Sequence, residues 1–288
     1  LELIDIGANL ADASFDADRD EVIERAVAAG VRGMIVTGTG LDESESALAL
    51  VERRSAVLRC TAGIHPHLAA QWTDAPQEAR ERLGGVLGSE RAVAAGECGL
   101  DYFRNLSPPV AQRAAFAGQL ELAAEHGKPL FLHQRDAHHD FLAMLREHEA
   151  ARLGGVAHCF TGGPGQAESY LGLGLHIGIT GWVLDERRNH DLLKAIPLLP
   201  LDRVLLETDS PYLLPRHPDA KPHRKRRNEP CFLPYVAREV ARRMGIDAEE
   251  LIDAACGNAQ ALFGWPHAEP EQSDQQVASG RSDRQSLG

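Results

Sequence analysis

Short apolar runs alternate with helix-like segments from one end of the chain to the other, and this alternation constrains the fold more than any other feature. Leu3–Ile6, Gly33–Thr37, Val57–Ala62, Arg91–Ala95, Pro129–Leu132, Gly155–Ala157, Leu175–Ile179 and Arg203–Leu206 read as eight strands. Amphipathic or helix-forming stretches separate them, among them Arg19–Ala29, Asp42 to about Arg54, Gln77–Leu87, Pro109–His126 and Ala137–Glu149. Asp42 and Ser44 are capping candidates for the second of these. Leu233–Met244 and Ala248–Leu262 close the series. Strands that are apolar throughout need cover on both faces, which a parallel sheet between helices provides. Eight strand-helix units with no internal linker predict a single-domain (β/α)₈ TIM-like barrel over residues 1–265, with a doubly wound open sheet as the alternative. From Pro266 onward the chain turns to Glu, Gln, Ser, Asp and Gly, too polar to repay its ordering entropy, so residues 266–288 read as a disordered tail.

The alternation also says where function should lie, because a barrel of this kind carries its chemistry where the strands end. Glu97 follows the fourth apolar run, in Gly96-Glu97-Cys98-Gly99-Leu100-Asp101-Tyr102. A carboxylate at the mouth of a buried strand needs a cation or a catalytic role to offset its desolvation. His65 and His67 follow the third run, His133 the fifth, His158 the sixth and Asp209 the eighth. Singly, each has a plain reading as a hydrogen-bonded rim residue, and Asp209 before Ser210-Pro211 suits a turn. Together, two imidazoles and two carboxylates at one end of different strands predict a divalent-metal site built from Glu97, His133, His158 and Asp209.

Net charge is −12, which argues against wholesale nucleic-acid binding but leaves room for a local basic patch. Such a patch stands in Arg224-Lys225-Arg226-Arg227, and beside a metal site it predicts a phosphate-facing surface. Tyr102, Phe103 and Trp182 fall near strand ends and are candidates to stack on bases, although core packing is the commoner role. Five dispersed cysteines with no CxxC spacing form neither a disulfide framework nor a zinc ribbon and suit a reducing, cytoplasmic setting. No apolar run is long enough to span a membrane, and the first residues lack a signal-like pattern. A P-loop, a dinucleotide-binding glycine fingerprint and a Gly-x-Ser-x-Gly elbow are all missing from the sequence, which removes those three chemistries as leading readings.

Seven segments carry a resemblance in order along the chain: Asp5-Ile6-Gly7-Ala8-Asn9-Leu10, Thr61-Ala62-Gly63-Ile64-His65-Pro66-His67, the Glu97 segment, His158-Cys159-Phe160-Thr161-Gly162, Gly178-Ile179-Thr180-Gly181-Trp182, Glu207-Thr208-Asp209-Ser210-Pro211-Tyr212 and Arg227-Asn228-Glu229-Pro230. They resemble the TatD family of metal-dependent deoxyribonucleases, within the metallo-dependent hydrolases. The resemblance implies a distorted (β/α)₈ barrel and 3′→5′ exonuclease action on DNA, with RNA also in reach. By position it implies Glu97, His133 and His158 as metal ligands and Asp209 as a further ligand or the group that activates water. It places His65 against substrate phosphate. Many relatives carry His-x-His on the first strand, where this chain has Gly7-Ala8-Asn9, and Gln134 stands where Cys is usual. An oxygen-rich first site favours Mg²⁺ over Zn²⁺, with Mn²⁺ also suited.

The expected mechanism uses one or two divalent ions, Asp209 and His65 as catalytic groups, and His67, Tyr102, Arg224, Arg226 and Arg227 on substrate, in a monomer. The rival readings are a C–N bond hydrolase of the amidohydrolase type and a non-catalytic nucleic-acid-binding scaffold.

Overall fold

The computed structural model describes residues 2–149 and 152–265; the tail expected to be disordered lies outside them. Eight parallel strands run in sequential order: β1 (Leu3–Ala8), β2 (Val31–Val36), β3 (Leu58–Ala62), β4 (Ala92–Asp101), β5 (Leu130–Arg135), β6 (Gly155–Ala157), β7 (His176–Ile179) and β8 (Val204–Leu206). Sequential order with every neighbour parallel is the barrel pattern, and it removes the open-sheet alternative, whose strand order must reverse. β8 returns to β1 through the bridge Ala8–Ser210, backed by Asp209 N donating to Gly7 O at 2.8 Å and Asn9 N to Ser210 O at 2.7 Å. Asp5 tightens the same seam, accepting from Thr208 N at 2.9 Å and Thr208 Oγ1 at 2.5 Å.

The outer layer comprises α1 (Arg19–Ala28), α2 (Leu41–Arg53), α3 (Ala70–Thr73), α4 (Pro76–Leu87), α5 (Pro109–His126), α6 (His138–Glu147), α7 (Pro164–Leu171), α8 (His190–Ala195), α9 (Leu233–Met244) and α10 (Ala248–Phe263). The large core lies between strands and helices, with Phe15, Met34, Leu58, Phe116, Phe141 and Tyr170 among its fully buried side chains. A smaller cluster fills the barrel bottom, where Ile4, Ile6, Ile35, Phe131 and Leu205 meet Phe263 of α10. α5 ends as its sequence requires, with Gly127 in the left-handed conformation at the cap position. α2 departs from expectation: Gly40 is its N-cap, and Ser44 Oγ instead donates to Gly40 O at 2.6 Å, so neither Asp42 nor Ser44 caps it.

The consequential difference is in β4. The sequence puts its end at Ala95, but the strand continues to Asp101 and carries Glu97 within it. Gly96 and Gly99 read as breakers in sequence. Here Gly99, at φ 144°, is what lets β4 pass close beside β5, because a Cβ there would run into the backbone carbonyl of His133. β1 and β5 likewise extend past their expected ends, to Ala8 and Arg135. Glu97, Asp101 and His133 therefore lie within the strand ladder, while His65, His158 and Asp209 follow their strands.

Candidate metal centre and active site

Glu97 is buried on β4, and its backbone N–H is fixed by Gly38 O at 2.8 Å. Three imidazoles converge on one of its oxygens. His133 Nδ1 lies 2.9 Å from Oε1, His158 Nε2 3.0 Å and His65 Nε2 3.3 Å. These three rings come from β5, the end of β6 and the end of β3, so the barrel brings them together from distant segments.

A further ring of carboxylates holds the imidazoles. His158 Nδ1 faces Glu207 Oε2 at 3.0 Å, while Glu207 Oε1 accepts from Cys159 N at 2.5 Å. Asp101, two positions beyond Gly99 on the same face of β4, contacts His67 Nε2 at 2.7 Å and lies 3.5 Å from His133 Nε2. Asp101 is itself fixed by Arg104 N at 2.8 Å. Asn9 Nδ2 donates to Asp209 Oδ1 at 3.1 Å and to Ser210 O at 3.2 Å.

The electrostatics follow from this crowding. Burial drives the Glu97 carboxyl upward, but the surrounding imidazoles outweigh it and hold the group well below the usual carboxylate range. Burial opposes charge on His158 too, and Glu97 and Glu207 together keep it protonated well above the ordinary imidazole value. His133 is raised as well, burial being overcome by Asp101 and Glu97. His65 goes the other way: burial pushes it down to about 4, so it is a neutral ring at pH 7. Asp209 is pushed up to about 7 by burial and by the charges of Glu97 and Glu207.

This donor set fits a divalent cation. His65, Glu97 and His133 each offer a ligand atom, all within 4.8 Å of one another. His133 Nε2 is buried and makes no hydrogen bond, its nearest charged neighbour being Asp101 Oδ2 at 3.5 Å, an uncommon state for a polar atom. One carboxylate oxygen has too few lone pairs to satisfy three imidazoles, whereas a cation among them would use nitrogen and oxygen donors of suitable type. Ligating imidazoles must be neutral, so a cation bound here competes with protons on His133 and His158. Mn²⁺ affinity should therefore weaken as pH falls, by roughly tenfold per pH unit for each proton displaced, or about a hundredfold between pH 8 and pH 6 for one. Isothermal titration in buffers of different ionisation enthalpy measures both the affinity and the protons released; pH-independent binding would contradict it.

Several expected residues are where the sequence places them. Glu97, His133, His158, Asp209, His65 and His67 all line one cavity of about 660 Å³, with Trp182 on its wall. Others are not. Arg227 is buried, its guanidinium forked onto Asp18 at 2.8 Å by both terminal nitrogens, with Nη2 also 2.8 Å from Glu229. It is a structural tie with no face left for phosphate. Arg224 pairs with Asp18 at 3.2 Å and does not line the cavity, and Arg226 lines a separate hollow. Tyr102 is also outside the cavity, its hydroxyl donating to Asp140 Oδ2 at 2.7 Å. The cations that do line it are Arg104 and Arg135, beside the exposed ring of Tyr212. Arg135 stacks 3.9 Å over Phe103.

Glu207, Arg104 and Arg135 do not stand out in the sequence as site residues. Glu207 has a usable signal there: it ends the apolar run Val204-Leu205-Leu206 with no basic neighbour, as Glu97 ends its own. Gly7, which cannot ligate, has a positive role, since a Cβ there would stand 2.6 Å from Glu207 Oε2. The missing side chain leaves room for the carboxylate that orients His158.

Comparison with known proteins places the chain in a family. The sequence model of the TatD-related DNase family matches residues 4–264. A protein of Erwinia amylovora named 3′-5′ ssDNA/RNA exonuclease TatD is 47% identical over 262 residues, covering 91% of this chain and 100% of its own. One of the same name from Edwardsiella piscicida is 49% identical over 261 residues, covering 91% of this chain and 99% of its own. Among solved structures, YJJV, a TatD homologue from Escherichia coli K12, superposes with TM-score 0.82 at 30% identity, over 92% of this chain and 98% of that one. A TatD family hydrolase from Entamoeba histolytica gives TM-score 0.82 at 25% identity, over 91% and 98%. With a family model over nearly the whole chain and relatives near half identical over almost all of their own length, this chain belongs to the TatD-related DNase family.

Proposed function

We propose that this chain is a metal-dependent 3′→5′ exonuclease acting on single-stranded DNA, with RNA as a further substrate. The observation that carries the reading is the convergence of His65, His133 and His158 on Glu97 in an open cavity whose wall holds Arg104 and Arg135. The names of the curated relatives support the substrate class. A divalent ion held by Glu97 with His65, His133 and His158 would polarise the scissile phosphate and favour ionisation of the attacking water. Asp209 is the group placed to take the proton: poised at about 7, it is partly ionised at neutral pH and keeps a carboxyl matched to that task. Asn9 fixes its orientation. Glu207 and Asp101 hold the imidazoles of His158 and His67 in place. Arg104 and Arg135 are suited to the non-bridging phosphate oxygens, in place of Arg224 and Arg227. Trp182 and Tyr212 offer faces for bases.

Mg²⁺ is the proposed ion, with Glu97 and the amide oxygen of Asn9 as oxygen donors. A monomer in the reducing cytoplasm belongs to the same reading, supported by five free thiols. The C–N hydrolase alternative lacks a reason for two cavity arginines beside stacking aromatics. Digestion of 5′-labelled single-stranded DNA, with the 3′ end free or blocked, tests the reading after metal-free protein is resupplied with Mg²⁺, Mn²⁺ or Zn²⁺. Stepwise shortening of the free-ended strand only is expected. Equal cleavage of both, or of neither, would overturn it.

A further inference from the structure

Beside the main cavity lies a second hollow of about 440 Å³, and it has no role in the chemistry described above. Trp182 and Leu213 line both spaces, so the hollow opens from the wall of the active site. Its own lining is dominated by Arg187, Arg188, Arg216 and Arg226. Arg187 and Arg216 are shared in turn with a third hollow, but there Arg242 and Arg243 are both paired with Glu239 at 2.7 Å, so the excess of cations belongs to the hollow beside Trp182.

One buried carboxylate organises the near part of this surface. Asp185 pairs with Arg187 at 2.8 Å, Arg188 at 2.8 Å and Arg216 at 3.3 Å. These cations come from two segments, the loop after β7 and the loop after β8, so the carboxylate staples the loops together. A single negative charge cannot neutralise three guanidiniums, and Arg226 adds a fourth cation with no carboxylate partner among the described residues. The side chains of Arg187, Arg188 and Arg216 remain 60%, 49% and 47% exposed, which leaves donors free for another anion. Arg188 also stacks 4.1 Å over Trp182, whose indole N–H donates to Arg188 O at 3.2 Å. The aromatic residue at the junction is thus tied to the first arginine of the hollow. An excess of cations is notable on a chain of net charge −12.

We propose that this arginine-lined hollow is a backbone-binding track for single-stranded nucleic acid, holding phosphates on the 5′ side of the scissile bond. The assignment rests on the exonuclease reading for its direction. A strand whose 3′ end enters the metal centre must leave past the cavity wall, and Trp182 marks where a base can stack before the backbone meets the arginines. Arginine forks suit successive phosphates, and pairings of this kind carry affinity without sequence preference. The track makes strand length a determinant of efficiency, since a dinucleotide cannot reach it and a decanucleotide can.

The test compares wild type with the triple variant R188Q/R216Q/R226Q, and with R226Q alone, which leaves the Asp185 staple intact. Steady-state kcat/KM is measured on a dinucleotide and on a decanucleotide, and binding of a fluorescein-labelled decanucleotide is followed by anisotropy in EDTA across a salt series. For the triple variant, the ratio of decanucleotide to dinucleotide kcat/KM should fall by about tenfold or more, and the salt slope of binding should drop by roughly 0.7 for each phosphate no longer neutralised. The R226Q variant should show a smaller change of the same kind. An unchanged ratio and slope would overturn the track, as would a proportional loss on both substrates. If wild type cuts neither substrate, the exonuclease reading fails, and the metal-free binding series still decides the track: equal affinity and slope in wild type and variant would refute it.

Discussion

Glu97→Gln should abolish metal-dependent exonuclease activity, lowering kcat by more than about 10³-fold, beyond the roughly 10–100-fold typical of a residue that only supports a ligand. Gln preserves the volume of the side chain on β4, so the barrel should remain folded, as far-UV circular dichroism would record. What it removes is the negative charge on which His65, His133 and His158 converge. Two consequences separate this from a general loss of stability. Bound divalent ion, measured by elemental analysis after gel filtration, should fall with the activity. His133 should also lose part of the support for its proton, because Asp101 is then the remaining carboxylate set against burial. A Glu97→Gln protein that retains its ion and cuts within tenfold of wild type would remove Glu97 from the centre of the site.

The second large effect is on stability and concerns Arg227. Its buried guanidinium joins Asp18 to Glu229, with Arg25 reaching the same pair at 3.3 Å and 2.8 Å. Arg227→Met leaves two buried carboxylates with reduced compensation and should cost about 3 kcal/mol, the lower end for breaking a buried pair because Arg25 remains. Arg224→Met, by contrast, removes an exposed partner of Asp18 and should cost within about 0.5 kcal/mol. Urea unfolding compares the two. The pH dependence carries the same signature. Arg227, more than any other group, holds the Asp18 carboxyl at about 2, below its ordinary 3.8. A depressed carboxyl contributes stability that is fully present above its unfolded value and is lost as pH falls through the folded one. Wild type should therefore lose this contribution between about pH 4 and pH 2, and Arg227→Met should show a flatter acid limb there. Equal urea midpoints for Arg227→Met and wild type would return Arg227 to the surface role that its charge suggested.

Burial explains why the convergence on Glu97 is legible in the sequence and the cations of the cavity are not. Glu97 announced itself because it interrupts an apolar run, and a charge in such a place is costly enough to need a partner. His133 and His158 stood at comparable positions on their own strands. The run from Arg224 to Arg227 gave a charge but no depth, and its decisive neighbour, Asp18, lies 209 positions away from Arg227 in sequence. The end of β4 was misplaced for a related reason. Gly96 and Gly99 carry the ordinary signal of a strand break, and only the closeness of β5 shows them to be the condition for its continuation. Glu207 obeyed the same rule as Glu97, but the nearby Asp209 drew the functional reading. Its importance becomes visible only through the space left at Gly7.

The seam between β1 and β8 has a consequence for when this molecule becomes dangerous to nucleic acid. Asn9 meets Asp209 only when the barrel closes, and these two are separated by 200 positions. Asp5 likewise reaches Thr208 across the whole length of the fold. A chain still emerging from the ribosome can already have synthesised Glu97, His133 and His158, yet it lacks both Glu207, which holds His158, and Asp209, the base proposed above. The ordering of the chain thus acts as a safeguard. On the reading proposed above, a fragment that ends before the eighth strand lacks Glu207, Asp209 and the seam that closes the barrel.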